Sequence, residues 1–138
     1  MDSRTKVFIS HSSTDTWVAL QIAEHIRKCG ADTFLDAADI DHGDDFEQEI
    51  LRAANESSEL LVLLTPWSIE RRYLWLEIGV FWGAQKRMVG VLYGLDAKAL
   101  ATDEKTPVML KRLDLVELNK VDSYFGQLTA RIKPPTHV

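Results

Sequence analysis

Leu60-Leu61-Val62-Leu63-Leu64 is an unbroken apolar run, closed at once by Thr65-Pro66. A strand with one wet face would alternate polar and apolar residues. A run with no polar member reads instead as a strand covered on both faces. Such a strand needs helices above and below it, and the rest of the chain supplies them. Val7-Phe8-Ile9 is a first short strand, and His11 to Asp15 follows with turn and N-cap residue types. Trp17, Leu20, Ile22, Ala23 and Ile26 fall near a helical stripe that Gly30 can stop. Thr33-Phe34-Leu35 is a second strand ending at Asp36, and Ala37 to Asp45 is a polar, acidic loop. Phe46, Ile50, Leu51 and Ala54 mark one side of a second helix. After the central strand, Pro66 suits the opening of a helix from about Trp67 to Lys86. Met88 to Tyr93 is a fourth strand halted at Gly94, and the polar stretch from Asp96 to Pro107 has room for a short helix. Leu113 to Leu118 is a fifth strand, and Ser123 to Ile132 a final helix.

Strands alternating with helices imply βαβ units and a parallel sheet with helices on both faces. Five strands in that pattern fit an α/β, flavodoxin-like three-layer sandwich of strand order 2-1-3-4-5. Its ligand crevice lies beyond the carboxyl ends of the strands, near the switch point beside the first strand. Three loops are thereby nominated for function: Ser10 to Asp15, Asp36 to Asp45, and Thr65 to Ser68.

With 138 residues, 46% of them apolar and 27% charged, the chain has the size and composition of one folded domain. Its net charge of −5 disfavours a binder of nucleic-acid backbones. No apolar run reaches membrane-spanning length, and MDSRTKVFIS has no signal-peptide layout. Cys29 is the single cysteine, read as a half-buried free thiol at a helix end. Together these features imply a cytoplasmic setting, with neither a membrane nor direct nucleic-acid contact.

Several chemistries lack their residues. Neither GxxxxGK[ST] nor GxGxxG is present, so no glycine-rich loop cradles a phosphate. A phospho-acceptor domain of this topology needs Asp at the end of its third strand, where this chain has Leu64-Thr65-Pro66-Trp67. His11, His25, His42 and His137 show no metal-ligand spacing, and a GxSxG elbow is missing. No metal and no resident cofactor are expected. Ser12, Ser13 and Thr14 could either hold a diphosphate at a helix N-terminus or cap that helix.

The segment from Arg71 to Trp82 is the most unusual. Tyr73 and Glu77 stand four apart on one helical face, and Glu77 lies among Trp75, Leu76, Ile78 and Phe81. A carboxylate there is either a desolvated functional group or the partner of Arg71, Arg72 or Lys86 in a structural ion pair.

These residues resemble the TIR (Toll/interleukin-1 receptor/resistance) domain family, most closely its bacterial, NAD-cleaving members. Lys6 to Asp15 looks like the family's opening box. Thr33 to Asp36, with Ile40, Gly43 and Phe46 to Ile50, is similar to its second strand, BB loop and following helix. Leu61 to Ser68 and Trp75-Leu76-Glu77-Ile78-Gly79 complete an ordered set reaching from Lys6 to about Gly94. The resemblance implies a TIR domain over residues 1–133, with 134–138 as a tail or the start of a linker.

It also implies an NAD⁺ nucleosidase or cyclase that releases nicotinamide and forms ADP-ribose or a cyclic isomer, NAD⁺ being substrate. The implied setting is bacterial antiphage immune signalling, with a fused or separate sensor or effector. Glu77 falls on the family's catalytic glutamate, and Ser10, His11, Ser12, Asp36, Phe46, Trp67 and Tyr73 on the substrate side. Tyr73 stands where many enzymatic members have Trp, and His11 and Ser12 stand where some have basic residues. Self-association through Asp39, Ile40, Asp41 and Gly43 is implied as well. Two other readings remain at this point: a non-enzymatic TIR scaffold, and a related enzyme that cleaves nucleosides or nucleotides.

Overall fold

The structure is a computed structural model that describes residues 4–36, 46–102 and 113–132. Five parallel strands, β1 (Lys6–Ser10), β2 (Asp32–Asp36), β3 (Glu59–Leu64), β4 (Arg87–Leu92) and β5 (Asp114–Glu117), form one sheet. Their order is β2-β1-β3-β4-β5, as the element pattern predicts. The helices are α1 (Thr16–Lys28), α2 (Phe46–Glu56), α3 (Arg72–Gly83), α4 (Ala97–Thr102) and α5 (Asp122–Ile132).

The central apolar run explains the layering. All of β3 is buried. Leu60, Val62 and Leu64 face a cluster with Phe8 and with Leu74, Ile78 and Phe81 of α3. Leu61 and Leu63 face the opposite cluster, with Ile22, Ala23 and Ile26 of α1 and Tyr124 and Leu128 of α5. Alternation along a strand thus feeds two cores at once.

Three expectations need correction. Trp17 and Leu20 are 70% and 46% exposed, whereas α1 buries Ala19, Ile22, Ala23 and Ile26. At 100° per residue Trp17 lies opposite that face. On α2, Leu51 is exposed and Ala53 takes its expected place beside Ile50 and Ala54.

The long helix expected from Trp67 to Lys86 is broken. Ser68–Glu70 form a single 3₁₀ turn, Arg71 is extended (φ −72°, ψ 130°), and α3 begins only at Arg72. Reciprocal bonds hold that turn: the Thr65 N–H donates to Ser68 Oγ at 2.9 Å, and the Ser68 N–H to Thr65 Oγ1 at 3.0 Å.

Gly30 ends α1 as expected, at φ +105°. The Gly30 N–H donates to Arg27 O (3.0 Å) and the Ala31 N–H to Ile26 O (3.4 Å), the Schellman pattern. Cys29 is a half-buried free thiol beside Phe125 O. The acidic loop with Asp39, Ile40, Asp41 and Gly43 lies outside the described residues.

Candidate functional site

Strand β1 is flanked by β2 and β3, so its carboxyl end opens where chain direction through the sheet reverses. Ser10 is its last residue and is fully buried. Helix α3, packed against β3 and β4, brings Glu77, also fully buried, to the same point. Ser10 Oγ donates a hydrogen bond to Glu77 Oε1 across 67 residues of sequence. The carboxylate therefore sits at the crevice edge with a fixed donor.

Arg71 completes the group from the break before α3. Its Nη1 donates to His11 O at 2.6 Å and to Ser10 Oγ at 3.2 Å, and its Nη2 lies 3.6 Å from Glu77 Oε2. Only 10% of the Arg71 side chain is exposed. A buried carboxylate beside a guanidinium and a hydroxyl is compensated for its loss of water. Both readings of Glu77 thus meet in one place: it is desolvated, and it is paired with Arg71.

A second buried network ties the loop after β1 to the loop after β3. Asp15 Oδ2 accepts from Ser12 Oγ at 2.8 Å and from Thr65 Oγ1 at 2.6 Å. Ser12 is consequently turned toward Asp15, and neither Ser12 nor Asp15 makes a side-chain cap bond. Ser13 and Thr14 are exposed. His11 is buried, with Nδ1 2.8 Å from Ser12 O.

The remaining substrate-side candidates fall at a strand end, a turn and two helix starts. Asp36 ends β2 in register with Ser10. Phe46 opens α2, the element that follows the acidic loop. Trp67 is 52% exposed in the turn after β3. Tyr73 occupies the first turn of α3, one turn ahead of Glu77, and is half-buried. Trp75, by contrast, packs against the core cluster.

Arg71 was visible in the sequence only as a neighbour of Glu77. Its contacts with Ser10 and His11 span 61 and 60 residues and have no local signature. Asp15 and Thr65 carried no sequence signal for their pairing either.

Among the described residues no cluster of His, Cys, Asp or Glu could hold a metal ion, and no helix is long and apolar enough to cross a membrane. At the opposite, amino-terminal edge of the sheet, buried Glu59 accepts from Tyr124 Oη at 2.6 Å and from Arg131 Nη2 at 2.7 and 2.9 Å. Burial, and then the Glu59 carboxylate, push the Tyr124 phenol well above its ordinary range.

Fold and site together define a flavodoxin-like α/β domain with a carboxylate enclosed at the switch-point crevice. Within that class the chain belongs to the TIR domain family, whose model matches residues 7–130. A comparison with curated protein sequences finds no match.

Solved structures agree on the fold. The TIR domain of the Toll-related receptor TRR-2 from Hydra magnipapillata is 19% identical with a TM-score of 0.65, covering 91% of this chain and 94% of that one. A metazoan TIR-STING receptor from C. gigas, in complex with 2′,3′-cGAMP, is also 19% identical with a TM-score of 0.65. That match covers 93% of this chain but 39% of the receptor. The RPS4 and RRS1 TIR domain heterodimer is 17% identical, with a TM-score of 0.59 and 92% of each chain covered.

Proposed function

We propose that this TIR domain cleaves the nicotinamide–ribose bond of NAD⁺, with Glu77 as the catalytic carboxylate. One observation carries the reading: Glu77 is fully buried at the carboxyl edge of the sheet and oriented by Ser10. Core packing alone gives no reason to place a carboxylate there, since an apolar side chain would avoid its desolvation cost.

The chemistry follows from charge. Departure of the pyridinium as neutral nicotinamide leaves an oxocarbenium-like ribose, and the leaving group needs little help from an acid. A fixed carboxylate near that ribose stabilises the developing cation. In a water-poor crevice one preorganised group contributes about 3 kcal/mol. Attack by water then gives ADP-ribose, and attack by an atom of the same nucleotide gives a cyclic isomer. Ser10, His11, Ser12, Asp36, Phe46, Trp67 and Tyr73 form the substrate side of this reading. Its biological setting is antiphage immune signalling, which phage challenge of cells carrying wild-type or Glu77→Gln protein would test.

The test of the chemistry is nicotinamide release by concentrated protein, with the ribosyl product identified. Glu77→Gln keeps the size of the side chain and an acceptor for Ser10, so it should fold and lose release by about 100-fold or more. A variant as fast as the parent would end the assignment. Adding NADP⁺ and deoxynucleosides as substrates separates this reading from a nucleosidase of another class.

A second reading, a scaffold acting through TIR–TIR contact, is favoured by a separate surface. Trp17 and Tyr93 are exposed, and with His25, Leu118 and Phe125 they line a groove of about 420 Å³ on the α1–α5 side. Exposed aromatics around an apolar groove suit a protein partner, and RPS4 and RRS1 form a heterodimer of TIR domains. Association and catalysis are compatible. A scaffold alone would leave NAD⁺ intact at every protein concentration.

A further inference from the structure

We propose that Asp15 is a positioning residue that clasps two walls of the crevice, the loop after β1 and the turn after β3, and thereby sets the affinity for the nucleotide. The identity of that nucleotide rests on the NAD⁺-cleaving reading.

Asp15 stands at the N-cap of α1, where an aspartate usually turns its carboxylate onto the first free N–H groups of its own helix. Here it makes no such bond. Its Oδ2 accepts instead from Thr65 Oγ1 at 2.6 Å, 50 residues away, and from Ser12 Oγ at 2.8 Å. Asp15 is 3% exposed and Thr65 is fully buried. A carboxylate so far withdrawn from water needs donors in its place, so these bonds constrain both loops.

Thr65 passes the constraint on. Its hydroxyl gives its proton to Asp15 and accepts the Ser68 N–H at 3.0 Å. Ser68 O accepts the Arg71 N–H at 3.0 Å, and the Arg71 side chain donates to His11 O at 2.6 Å. The path thus returns to the loop where it began, one residue before Ser12. This ring joins the segments that carry the substrate-side residues His11, Ser12 and Trp67.

Glu77 is bonded to Ser10, whose place is fixed by the pairing of β1 with β2 and β3. The ring therefore bears on the fit of the nucleotide more than on the carboxylate. The Ser12 hydroxyl has its one proton committed to Asp15, so Ser12 serves binding through the place of its loop and not as a donor to phosphate. Cutting the ring leaves two looser walls that a ligand must order as it binds, and that cost appears as lost affinity.

The test measures nicotinamide release and, by calorimetry, ADP-ribose binding for wild-type protein, Thr65→Val, Thr65→Ser, Asp15→Ala and the Asp15→Ala/Thr65→Val double variant. Urea melts establish which of them are folded under assay conditions. Thr65→Val keeps the shape and loses the hydroxyl. It should raise KM and weaken ADP-ribose by about tenfold, with kcat within about threefold of the parent. Loss of stability alone has the opposite signature, because unfolded molecules lower the apparent kcat and leave KM in place. Thr65→Ser keeps the hydroxyl and should recover most of the affinity. Asp15→Ala should act as Thr65→Val does, and the double variant should bind little worse than either, since both cut one ring.

Should Asp15→Ala or Thr65→Val fail to fold, the other decides. The clasp is overturned if these variants keep parental KM and ADP-ribose affinity, if Thr65→Ser weakens binding as much as Thr65→Val, or if wild-type protein binds no ADP-ribose. Weakened ADP-ribose binding in the variants, without nicotinamide release by the wild type, would keep the clasp and remove the glycohydrolase reading. Release with unaltered binding has the reverse meaning.

Discussion

Ser10 offers a finer test of the site than Glu77 itself, because it changes the carboxylate's surroundings and keeps its charge. Ser10→Ala removes the donor to Glu77 Oε1 and one acceptor of Arg71. Leaving a buried carboxylate short of a hydrogen bond costs about 1–3 kcal/mol, so the variant should unfold at lower urea and release nicotinamide more slowly. Parental stability together with parental rate would show that the bond has no role. Tyr124 makes an independent prediction at the far edge of the sheet. Its phenol is held above the ordinary range in the folded chain, so it keeps its proton where an unfolded tyrosine loses one. Its contribution is complete below the unfolded pKa of about 10 and declines above it, by about 1.4 kcal/mol for each further pH unit. Tyr124→Phe should therefore cost stability at neutral pH and flatten the alkaline decline. Denaturant titrations from pH 8 to 11 check this, and parallel curves for the two proteins would refute it.

At the scale of elements, helix α3 shows how the local and distant parts of the fold divide. Its end is unusual: Gln85 adopts φ 58°, a conformation that favours glycine, and the Lys86 N–H closes the turn on Phe81 O at 3.0 Å. The Lys86 side chain then reaches across to the carbonyls of Ala54 and Ser57 at 2.6 and 2.7 Å, capping the exit of α2. A cation there satisfies carbonyls that the helix cannot pair and opposes the negative end of its dipole. Lys86→Met keeps the aliphatic stem and loses the charge, so it should lower stability by about 1–2 kcal/mol in a urea melt while leaving nicotinamide release in place. None of this was legible beforehand, because Lys86 and Ala54 meet only through the packing of α2 on α3. The sheet was legible, since an apolar run such as Leu60 to Leu64 has one stable solution in a chain of this size, and Glu77 stood out by its aromatic neighbours. The break at Arg71 was hidden. Pro66 and Ser68 are good helix-opening residues, and only the paired Thr65–Ser68 bonds diverted them into a turn. Trp17 and Leu20 misled for another reason: apolar residues near the edge of a stripe do not reveal which side the sheet will cover.

For the whole molecule the uneven spread of charge matters more than its total. Asp36, Asp39, Asp41, Asp44 and Asp45 fall within ten residues that hold no Lys or Arg, while the chain has 21 acidic and 16 basic residues. Without those five the remainder has 16 of each sign, so the entire net charge of −5 is concentrated in residues 36–45. A chain whose net charge is concentrated in one acidic segment can associate head to tail, that segment of one copy against basic residues of the next, where a uniformly acidic molecule would repel its own kind. If such contacts complete the site, activity per molecule should rise with protein concentration. It should also fall as salt is raised, because charge attraction across an exposed interface is screened over about 10 Å at 0.1 M salt. Replacing Asp39 and Asp41 with Lys should move the half-maximal protein concentration upward by about tenfold or more, the loss of roughly 1.4 kcal/mol of association energy. Sedimentation and nicotinamide release, followed over the same concentration series, check the two halves together. Activity per molecule that stays level from dilute to concentrated protein would mean that each copy completes its own site and that the acidic segment has no part in joining copies.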